Sequence, residues 1–213
     1  MKLSEIVSDK VLRHYTNAVT DTDDEIRGAG SMAYVRQSRS PHEHDTVQRI
    51  SQGHDPHNTY AWYIKHYTDG HNPYLPIIRN VQPGDSGLVT TAMERLIPFT
   101  SAQLAVPELV SGQAGTWFVD SLAQKLRRSV EAASKDHSKC AKIVVYALGT
   151  AMNRPDLISD PKLKEAIDII HQVLSIDPDF RLDLTEDNIM WRITGTKPHL
   201  VITDPINTMA SYK

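Results

Sequence analysis

Three side chains near the C-terminal end of the sequence could together hold a metal ion and a hydroxyl group. They are Asp183, Asn188 and Asp204, in the stretch FRLDLTEDNIMWRITGTKPHLVITDPI, which runs from Phe180 to Ile206. The pattern of this stretch predicts a loop, a short strand NIMWRI, a turn TGTKP and a returning strand HLVIT. Folding of this hairpin would bring Asp204 back beside Asn188.

The oxygen atoms of Asn188 and Asp204 suit a hard cation. Mg²⁺ prefers one or two carboxylate or amide oxygens and completes its coordination with water and phosphate. Asp183 precedes Asn188 by five positions. The hairpin would leave its carboxylate close to the metal ligands, where it could orient a hydroxyl group. An ordinary hairpin with two surface acids is the alternative interpretation of this stretch.

The spacing of these residues resembles that of the protein-kinase-like phosphotransferases. In that class a D-x-x-x-x-N catalytic loop is followed, after a hairpin, by a metal-binding Asp. The wording DLTEDNIM…LVITDP, with Pro205 where most kinases have Phe-Gly, is similar to the small early Ser/Thr protein kinases of T-odd-type podophages. The resemblance implies that Asp183 and Asn188 are catalytic, that Asn188 and Asp204 bind Mg²⁺, and that ATP is the phosphoryl donor.

A glycine-rich segment near the N-terminal end fits a phosphate-binding loop. In IRGAGSMAYV, Gly28, Gly30 and Ala33 occupy the positions of a G-x-G-x-x-G pattern. Backbone N–H groups around Gly28, Gly30 and Ser31 could close over phosphate oxygens, because no bulky side chain intervenes. The following AYVRQ has the aromatic and β-branched residues of a strand, which favours the kinase type of loop. A flexible turn is the alternative.

The resemblance requires a cation on the next strand, and Arg49 lies fourteen residues after Val35, within TVQRI. The kinase family has Lys at this place, whereas Arg binds phosphate with a forked geometry. The helix predicted over Asn58–Tyr67 contains no Glu to pair with the cation, and Asp69 just beyond it is a poor substitute. A surface role for Arg49 is the alternative.

Two further strands are predicted over Tyr74–Val81 and Leu88–Leu96, around the turn QPGDSG. The second strand ends in AMERLIP, which resembles the gatekeeper and hinge segment of kinases. The resemblance implies that Met93 backs the adenine site and that backbone groups of Glu94 and Leu96 bind the edge of the base. Met93 as an ordinary core residue is the alternative.

Six histidines lie close together in the first third of the chain, at positions 42, 44, 54, 57, 66 and 71. The sequences HEH and HDPH allow a zinc site as an alternative, but no cysteine supports it and the spacing matches no common zinc finger. The neighbouring Pro and Gly residues predict exposed loops that carry uncharged imidazoles.

Apolar stripes at helical spacing predict several helices. An amphipathic helix is expected over Leu3–Val19, and an interlobe connection over Pro107–Gly115. Asp160 followed by Pro161 is a start signal, because a capping side chain is followed by Pro at the first helical position. The other stripes run over Phe118–Val130, Ile143–Met152 and Leu163–Leu174.

These elements predict an α+β, minimal two-lobed protein-kinase-like fold over residues 1–213. The strand-rich N-lobe, with its N-terminal helix, covers about 1–98. The helical C-lobe covers about 99–213 and ends in the catalytic-loop hairpin. Nine residues follow Asp204, so we expect a truncated C-lobe without the activation segment and docking helices of most kinases.

Composition narrows the classes of partner and location. The 213 residues with 40% hydrophobic content suffice for a core, and a net charge of −3 gives no reason to expect nucleic-acid or membrane binding. The single Cys140 excludes an intrachain disulfide and fits a reducing compartment. No apolar run reaches membrane-spanning length, and we expect no signal segment, because no hydrophobic core follows the Lys at the N-terminus. We expect a soluble protein of the host cytoplasm.

The expected function is phosphoryl transfer from Mg·ATP to a protein Ser or Thr. The resemblance implies a role in host takeover, with host transcription or translation proteins as substrates. Departures from the family at Arg49 and at the missing helix Glu leave a pseudokinase as an alternative, which would bind and inhibit a host protein without phosphoryl transfer. Leu182 and Thr185 also replace charged or His residues of the family. A small-molecule kinase of the aminoglycoside type, which shares the D-x-x-x-x-N…D pattern, is a second alternative.

Overall fold

The largest element in the described part of the first half of the chain is an antiparallel sheet. The structure is a computed structural model that describes residues 26–29, 33–37, 46–68, 72–84, 87–101, 104–133, 135–194 and 197–208. The sheet has five strands in the order β1-β2-β3-β5-β4, and neighbouring strands are antiparallel. The strands are β1 (Ile26–Ala29), β2 (Ala33–Gln37), β3 (Thr46–Gln52), β4 (Ile78–Pro83) and β5 (Leu88–Glu94).

The predicted strands of this region are largely confirmed. AYVRQ forms β2, TVQRI lies in β3, and the strand predicted from Leu88 ends at Glu94. The strand predicted from Tyr74 begins only at Ile78, because the side chain of Asn72 accepts a hydrogen bond from the Tyr74 N–H at 2.9 Å and holds a turn. The predicted N-terminal helix, residues 3–19, lies outside the described residues.

Helix α1 (Pro56–Tyr67) connects β3 to β4. Asp55 caps it, since its carboxylate accepts a hydrogen bond of 2.9 Å from the His57 N–H, and Pro stands at the start of the helix. The helix therefore begins two residues before the predicted Asn58. Its inner face is fully buried and consists of Tyr60, Ala61 and Ile64.

Four helices form most of the second half: α2 (Val106–Trp117), α3 (Asp120–Ala133), α4 (His137–Asn153) and α5 (Pro161–Leu174). The interlobe connection predicted over Pro107–Gly115 is wrong, because these residues lie inside α2. Pro107 stands in the first turn, where a missing N–H costs no helical hydrogen bond. The helix also has a buried apolar face, made of Val106, Val110, Ala114 and Trp117.

The predicted start of α5 is confirmed. The Asp160 carboxylate accepts hydrogen bonds from the backbone N–H groups of Lys162 and Leu163, at 2.7 and 3.4 Å. Its other oxygen accepts a hydrogen bond of 2.6 Å from the Tyr74 hydroxyl, which lies in the strand-rich half. The cap of α5 therefore also joins the two halves of the chain.

Two small sheets lie near the C-terminal end. The predicted hairpin is confirmed as β8 (Ile189–Thr194) and β9 (Lys197–Ile202), and β6 (Ile97–Pro98) pairs with β8. Strand β7 (Phe180–Leu182) pairs with β10 (Ile206–Thr208) in an antiparallel ladder. Sequence patterns did not predict β6, β7 or β10, because runs of two or three residues carry too little periodicity.

Large aromatic side chains link the hairpin to the helical half. Trp191 of β8 is fully buried and stacks on Phe99 with ring centroids 4.9 Å apart. Its indole N–H donates to the Phe99 carbonyl at 3.3 Å, so the polar end is satisfied. The ring centroid of Trp117 in α2 lies 6.5 Å from that of Trp191. The core is therefore continuous across the helices and the hairpin.

A second connection between the halves is made by Arg192 of β8. Its guanidinium donates to the Glu94 carboxylate at the end of β5, with Nε 2.7 Å from Oε2 and a second contact to Oε1. It also donates to the carbonyls of Pro73 and Leu75, each at 2.8 Å. We call this set of contacts the Arg192 clamp. It fixes the end of β5 against the hairpin.

The element order is that of the predicted α+β fold, with a strand-rich lobe followed by a helical lobe that ends in a hairpin. Among the described residues, the helices are too short or too polar to cross a membrane.

Candidate active site

The hairpin places Asn188 and Asp204 next to each other. Ile189 and Ile202 are register partners, and the Thr203 N–H donates to the Asn188 carbonyl at 2.9 Å. The Asn188 side-chain amide donates to the Asp183 carbonyl at 2.6 Å. This bond fixes the side chain through its nitrogen and leaves the amide oxygen as its possible metal ligand.

Asp183 lies next to Asn188, and hydrogen bonds to residues that follow Asp204 fix its position. Its backbone N–H donates to the Pro205 carbonyl at 2.8 Å, and its carboxylate accepts a hydrogen bond of 3.3 Å from the Asn207 side chain. Both contacts depend on the pairing of β7 with β10, which brings the chain back after Asp204. The structure therefore brings Asp183, Asn188 and Asp204 together from positions up to 21 apart in the sequence.

Arg49 reaches the hairpin from the opposite side. It lies on β3, and its guanidinium makes two ion pairs, with Nη1 2.7 Å from Asp55 Oδ2 and Nη2 3.1 Å from Asp204 Oδ2. The Arg49 side chain is only 12% exposed. It therefore faces the site and is not the surface residue that the alternative interpretation allowed.

His57 is a residue of the site that sequence reasoning missed. We expected the histidines of this region to lie in exposed loops, and for His57 this is wrong: it lies in the first turn of α1 and is 1% exposed. Its Nδ1 is 3.2 Å from Asp204 Oδ1. Among the described residues neither ring nitrogen has a hydrogen-bond partner, so the contact with Asp204 is close but not aligned as a hydrogen bond.

A sequence signal for Asp55 and His57 was present. Asp55-Pro56 repeats the cap-and-proline pattern that correctly predicted the start of α5 at Asp160-Pro161. That pattern places a helix start directly after β3, and with it two polar side chains near the end of the strand that carries Arg49. The neighbouring histidines and Gly53 masked the pattern by suggesting a loop.

The charges around Asp204 determine its protonation. Burial raises the pKa of the Asp204 carboxyl, but attraction to His57, and then to Arg49 with its hydrogen bond, outweighs burial and holds the pKa below its usual value. Asp204 is therefore an anion at neutral pH. An anionic carboxylate beside an amide oxygen is the donor set expected for a hard cation.

The site opens into a cavity of about 480 Å³, within the range of about 300–1,000 Å³ that small-molecule sites occupy. Six of the predicted site residues lie in its wall: Arg49, Met93, Glu94, Leu96, Asn188 and Asp204. Asp183 is not one of the wall residues, and its contact with the site runs through Asn188. The remaining wall residues are Val35, Val47, His57, Arg95, Pro98, Asp187, Met190 and Thr203.

The predicted hinge residues lie at one end of the cavity. Met93 is 7% exposed and pairs in register with Val47 and Ile78, so it is at once a core residue and part of the wall. The Glu94 N–H donates to the Ile77 carbonyl at 3.0 Å and is already used. Any contact of Glu94 with a base edge must therefore come from its carbonyl group.

The predicted phosphate loop is described only in part. Gly28 lies in β1, opposite Val35 of β2, next to a shift in register between Ile26 and Gly28. Gly30 and Ser31 lie outside the described residues. Val35 lines the cavity, so the β1–β2 ladder borders the site on the side where a phosphate loop is expected.

The oxygen atoms at this site are of the type that Mg²⁺ prefers as ligands. Asp204 Oδ1 is buried and has no hydrogen-bond partner among the described residues, and the Asn188 amide oxygen is the second hard donor. Within the described parts of the chain there is no cluster of three or more His, Cys, Asp or Glu side chains that could share an ion. A cation here would have two protein ligands, as Mg²⁺ often has when phosphate and water complete its shell.

The cavity lies where the two parts of an α+β fold meet. A five-stranded sheet, with a helix after the strand that carries Arg49, is followed by a helical lobe and by the hairpin beside the cavity.

Comparison with known proteins adds a structural similarity. No family model and no curated protein matches the chain. Among solved structures it is similar to the GDP and kanamycin complex of APH(2")-IIia, with 14% sequence identity and a TM-score of 0.38. The match covers 90% of this chain and 71% of that chain. A similarity of this size does not assign an activity.

Proposed function

We propose that the protein is a Mg·ATP-dependent phosphotransferase. The observation that carries the proposal is the meeting of Arg49, Asn188 and Asp204 on one cavity, which joins the cation of β3 to the two oxygen donors of the hairpin. A cation and a metal site that adjoin each other on one cavity can together bind neighbouring phosphates of a polyphosphate. Met93, Glu94 and Leu96 line the same cavity and would hold the base.

Each residue has a role that its contacts support. Arg49 would bind the phosphates, together with backbone N–H groups around Gly28, Gly30 and Ser31. Asn188 and Asp204 would hold Mg²⁺, which when bound neutralises charge on the transferring phosphoryl group. Asp183 would orient the attacking hydroxyl or accept its proton. Its hydrogen bonds to Asn207 and Pro205 hold the loop in place for this task.

The substrate we propose is a Ser or Thr side chain of a host protein that belongs to the transcription or translation machinery. Its support is the sequence DLTEDNIM…LVITDP, which is similar to the early protein kinases of T-odd-type podophages. A phage enzyme of this kind would act in the host cytoplasm during takeover, on a protein partner and without direct contact with nucleic acid or membrane.

The test is calorimetric titration of the protein with ATP, with and without Mg²⁺, beside Asp204→Ala. We expect binding that Mg²⁺ strengthens by about tenfold or more, and we expect Asp204→Ala to remove that gain. Asp168→Ala, an exposed carboxylate on α5, is the matched control and should bind as the wild type does. The absence of binding at millimolar ATP would refute the proposal.

A pseudokinase that binds a host protein is the second candidate, and one observation favours it. Both carboxylate oxygens of Asp204 are in contact with protein cations or imidazole, Oδ2 with Arg49 and Oδ1 with His57. A carboxylate neutralised in this way can support a fold without binding metal. ATP binding that is indifferent to Mg²⁺, with no transfer of labelled phosphate to host lysate proteins, would favour this candidate. Transfer that Asp183→Asn abolishes would exclude it.

A further inference from the structure

Asp55 makes two different contacts with its two carboxylate oxygens. Oδ1 accepts the capping hydrogen bond from the His57 N–H, and Oδ2 accepts a hydrogen bond of 2.7 Å from Arg49 Nη1. The residue is 4% exposed. A buried carboxylate needs such partners, because an unpaired charge in this position would be strongly unfavourable. Asp55 therefore joins the start of α1 to the cation of β3.

Arg49 lies between two carboxylates and forms a stronger ion pair with one of them than with the other. Its bond to Asp55 is shorter than its bond to Asp204, 2.7 against 3.1 Å. The Asp55 side chain is 5% exposed and that of Asp204 is 31% exposed. Charge pairs are attracted more strongly where less water screens them. Asp55 is thus the stronger partner, and it keeps the guanidinium from pairing with Asp204 through both of its NH groups.

We propose that Asp55 is a positioning residue that holds Arg49 and thereby leaves Asp204 available to the cation of the substrate complex. It takes the place of the helix Glu that α1 lacks, but it acts from the N-cap and not from within the helix. This inference rests on the proposed function, because it assigns Asp55 a part in binding the nucleotide phosphates and their metal.

The proposal predicts a specific effect of removing the charge. In Asp55→Asn the cap is retained, because Asn is as good an N-cap as Asp. Arg49 then loses its stronger partner and closes on Asp204, which is already in contact. Binding of Mg·ATP should weaken by about tenfold or more, while adenosine, which has no phosphate, should bind as to the wild type. A purely structural defect would weaken both ligands.

The experiment compares calorimetric Kd values for Mg·ATP and adenosine in the wild type, Asp55→Asn and Asp136→Asn. Asp136 is the matched control, since its carboxylate caps α4 through the Lys139 N–H at 3.0 Å but lies outside the cavity wall. Selective loss of Mg·ATP binding in Asp55→Asn alone supports the proposal. Unchanged Mg·ATP binding, or equal loss for both ligands, overturns it.

A second measurement separates this inference from the proposed function. If the wild type binds no nucleotide, the proposed function fails, and urea unfolding of Asp55→Asn, Arg49→Met and the double variant then tests the contact by itself. Residues in one ion pair have non-additive effects on stability. If the double variant loses clearly less free energy of unfolding than the two single variants lose together, the result supports an interaction in which Asp55 positions Arg49. Additive losses overturn it.

Discussion

Replacement of Arg192 by Met would test the Arg192 clamp. The side chain is 14% exposed and its partner Glu94 is 10% exposed. Met keeps the apolar stem but removes the charge and every hydrogen bond of the guanidinium. Among the described residues, the Glu94 carboxylate would then keep only the 2.8 Å bond from the Ile77 N–H, and the carbonyls of Pro73 and Leu75 would lose the guanidinium as their donor.

The expected loss of stability is large. Removing one partner of a buried ion pair leaves the other charge uncompensated, which costs about 3–5 kcal/mol. For a chain of this size, 1 kcal/mol lowers Tm by about 2–4 °C, so Tm should fall by about 6–20 °C. Glu94 stands at the end of β5 and lines the cavity, so the same substitution should also weaken the proposed binding of ATP.

The measurement is thermal and urea unfolding followed by circular dichroism. Arg154→Met is the matched control, because Arg154 pairs with Asp156 at the surface, where the two side chains are 62% and 60% exposed. We expect no measurable change in that variant. The double variant Arg192→Met with Glu94→Gln should lose less than the sum of the single losses. A loss below about 1 kcal/mol in Arg192→Met would refute the reasoning, since that is the value of an exposed pair.

Two further predictions concern a tyrosine and a helical glycine. Burial, and then its hydrogen bond to Asp160, raise the pKa of Tyr74 well above its usual value. Below about pH 10 both the folded and unfolded states keep this proton, and above it only the unfolded state ionises, so stability falls as pH rises, by about 1.4 kcal/mol per pH unit. Urea unfolding between pH 9 and 11.5 should show a shallower decline in Tyr74→Phe, and the same decline as the wild type in the exposed Tyr146→Phe. Gly112 of α2 has open space around an added Cβ, so Gly112→Ala should raise the free energy of unfolding by about 0.5–1 kcal/mol. Gly115→Ala in the same helix should gain less stability, because its Cβ would collide with the Arg127 guanidinium and displace that side chain.

Local patterns in the sequence predicted the elements whose signals are short-range. The β8–β9 hairpin follows from two alternating runs around a turn, and the start of α5 follows from Asp160 and the proline after it. The same reasoning placed Asn188 near Asp204, because a hairpin joins its own two ends. It also ordered the strand-rich and helical lobes correctly.

Other features depend on contacts between distant residues, which no local pattern encodes. Arg192 and Glu94 are 98 positions apart, and Arg49 and Asp204 are 155 apart. Whether Arg49 faced the site could be known only from the fold. The error over Pro107–Gly115 has a local cause, since Pro and Gly suggest a connection when their helical positions are unknown. A proline in the first turn carries no such penalty.

The pairing of β7 with β10 makes residues 206–208 part of the structure that supports the proposed active site. Ile206, Asn207 and Thr208 follow Asp204 and lie opposite Leu182, Arg181 and Phe180. Cutting the chain just after Asp204 would remove the strand that holds the loop on which Asp183 stands, even though every proposed catalytic side chain would remain. An affinity tag or fusion partner at that end should therefore be joined well beyond Thr208, so that it does not pull this short strand away from its neighbour.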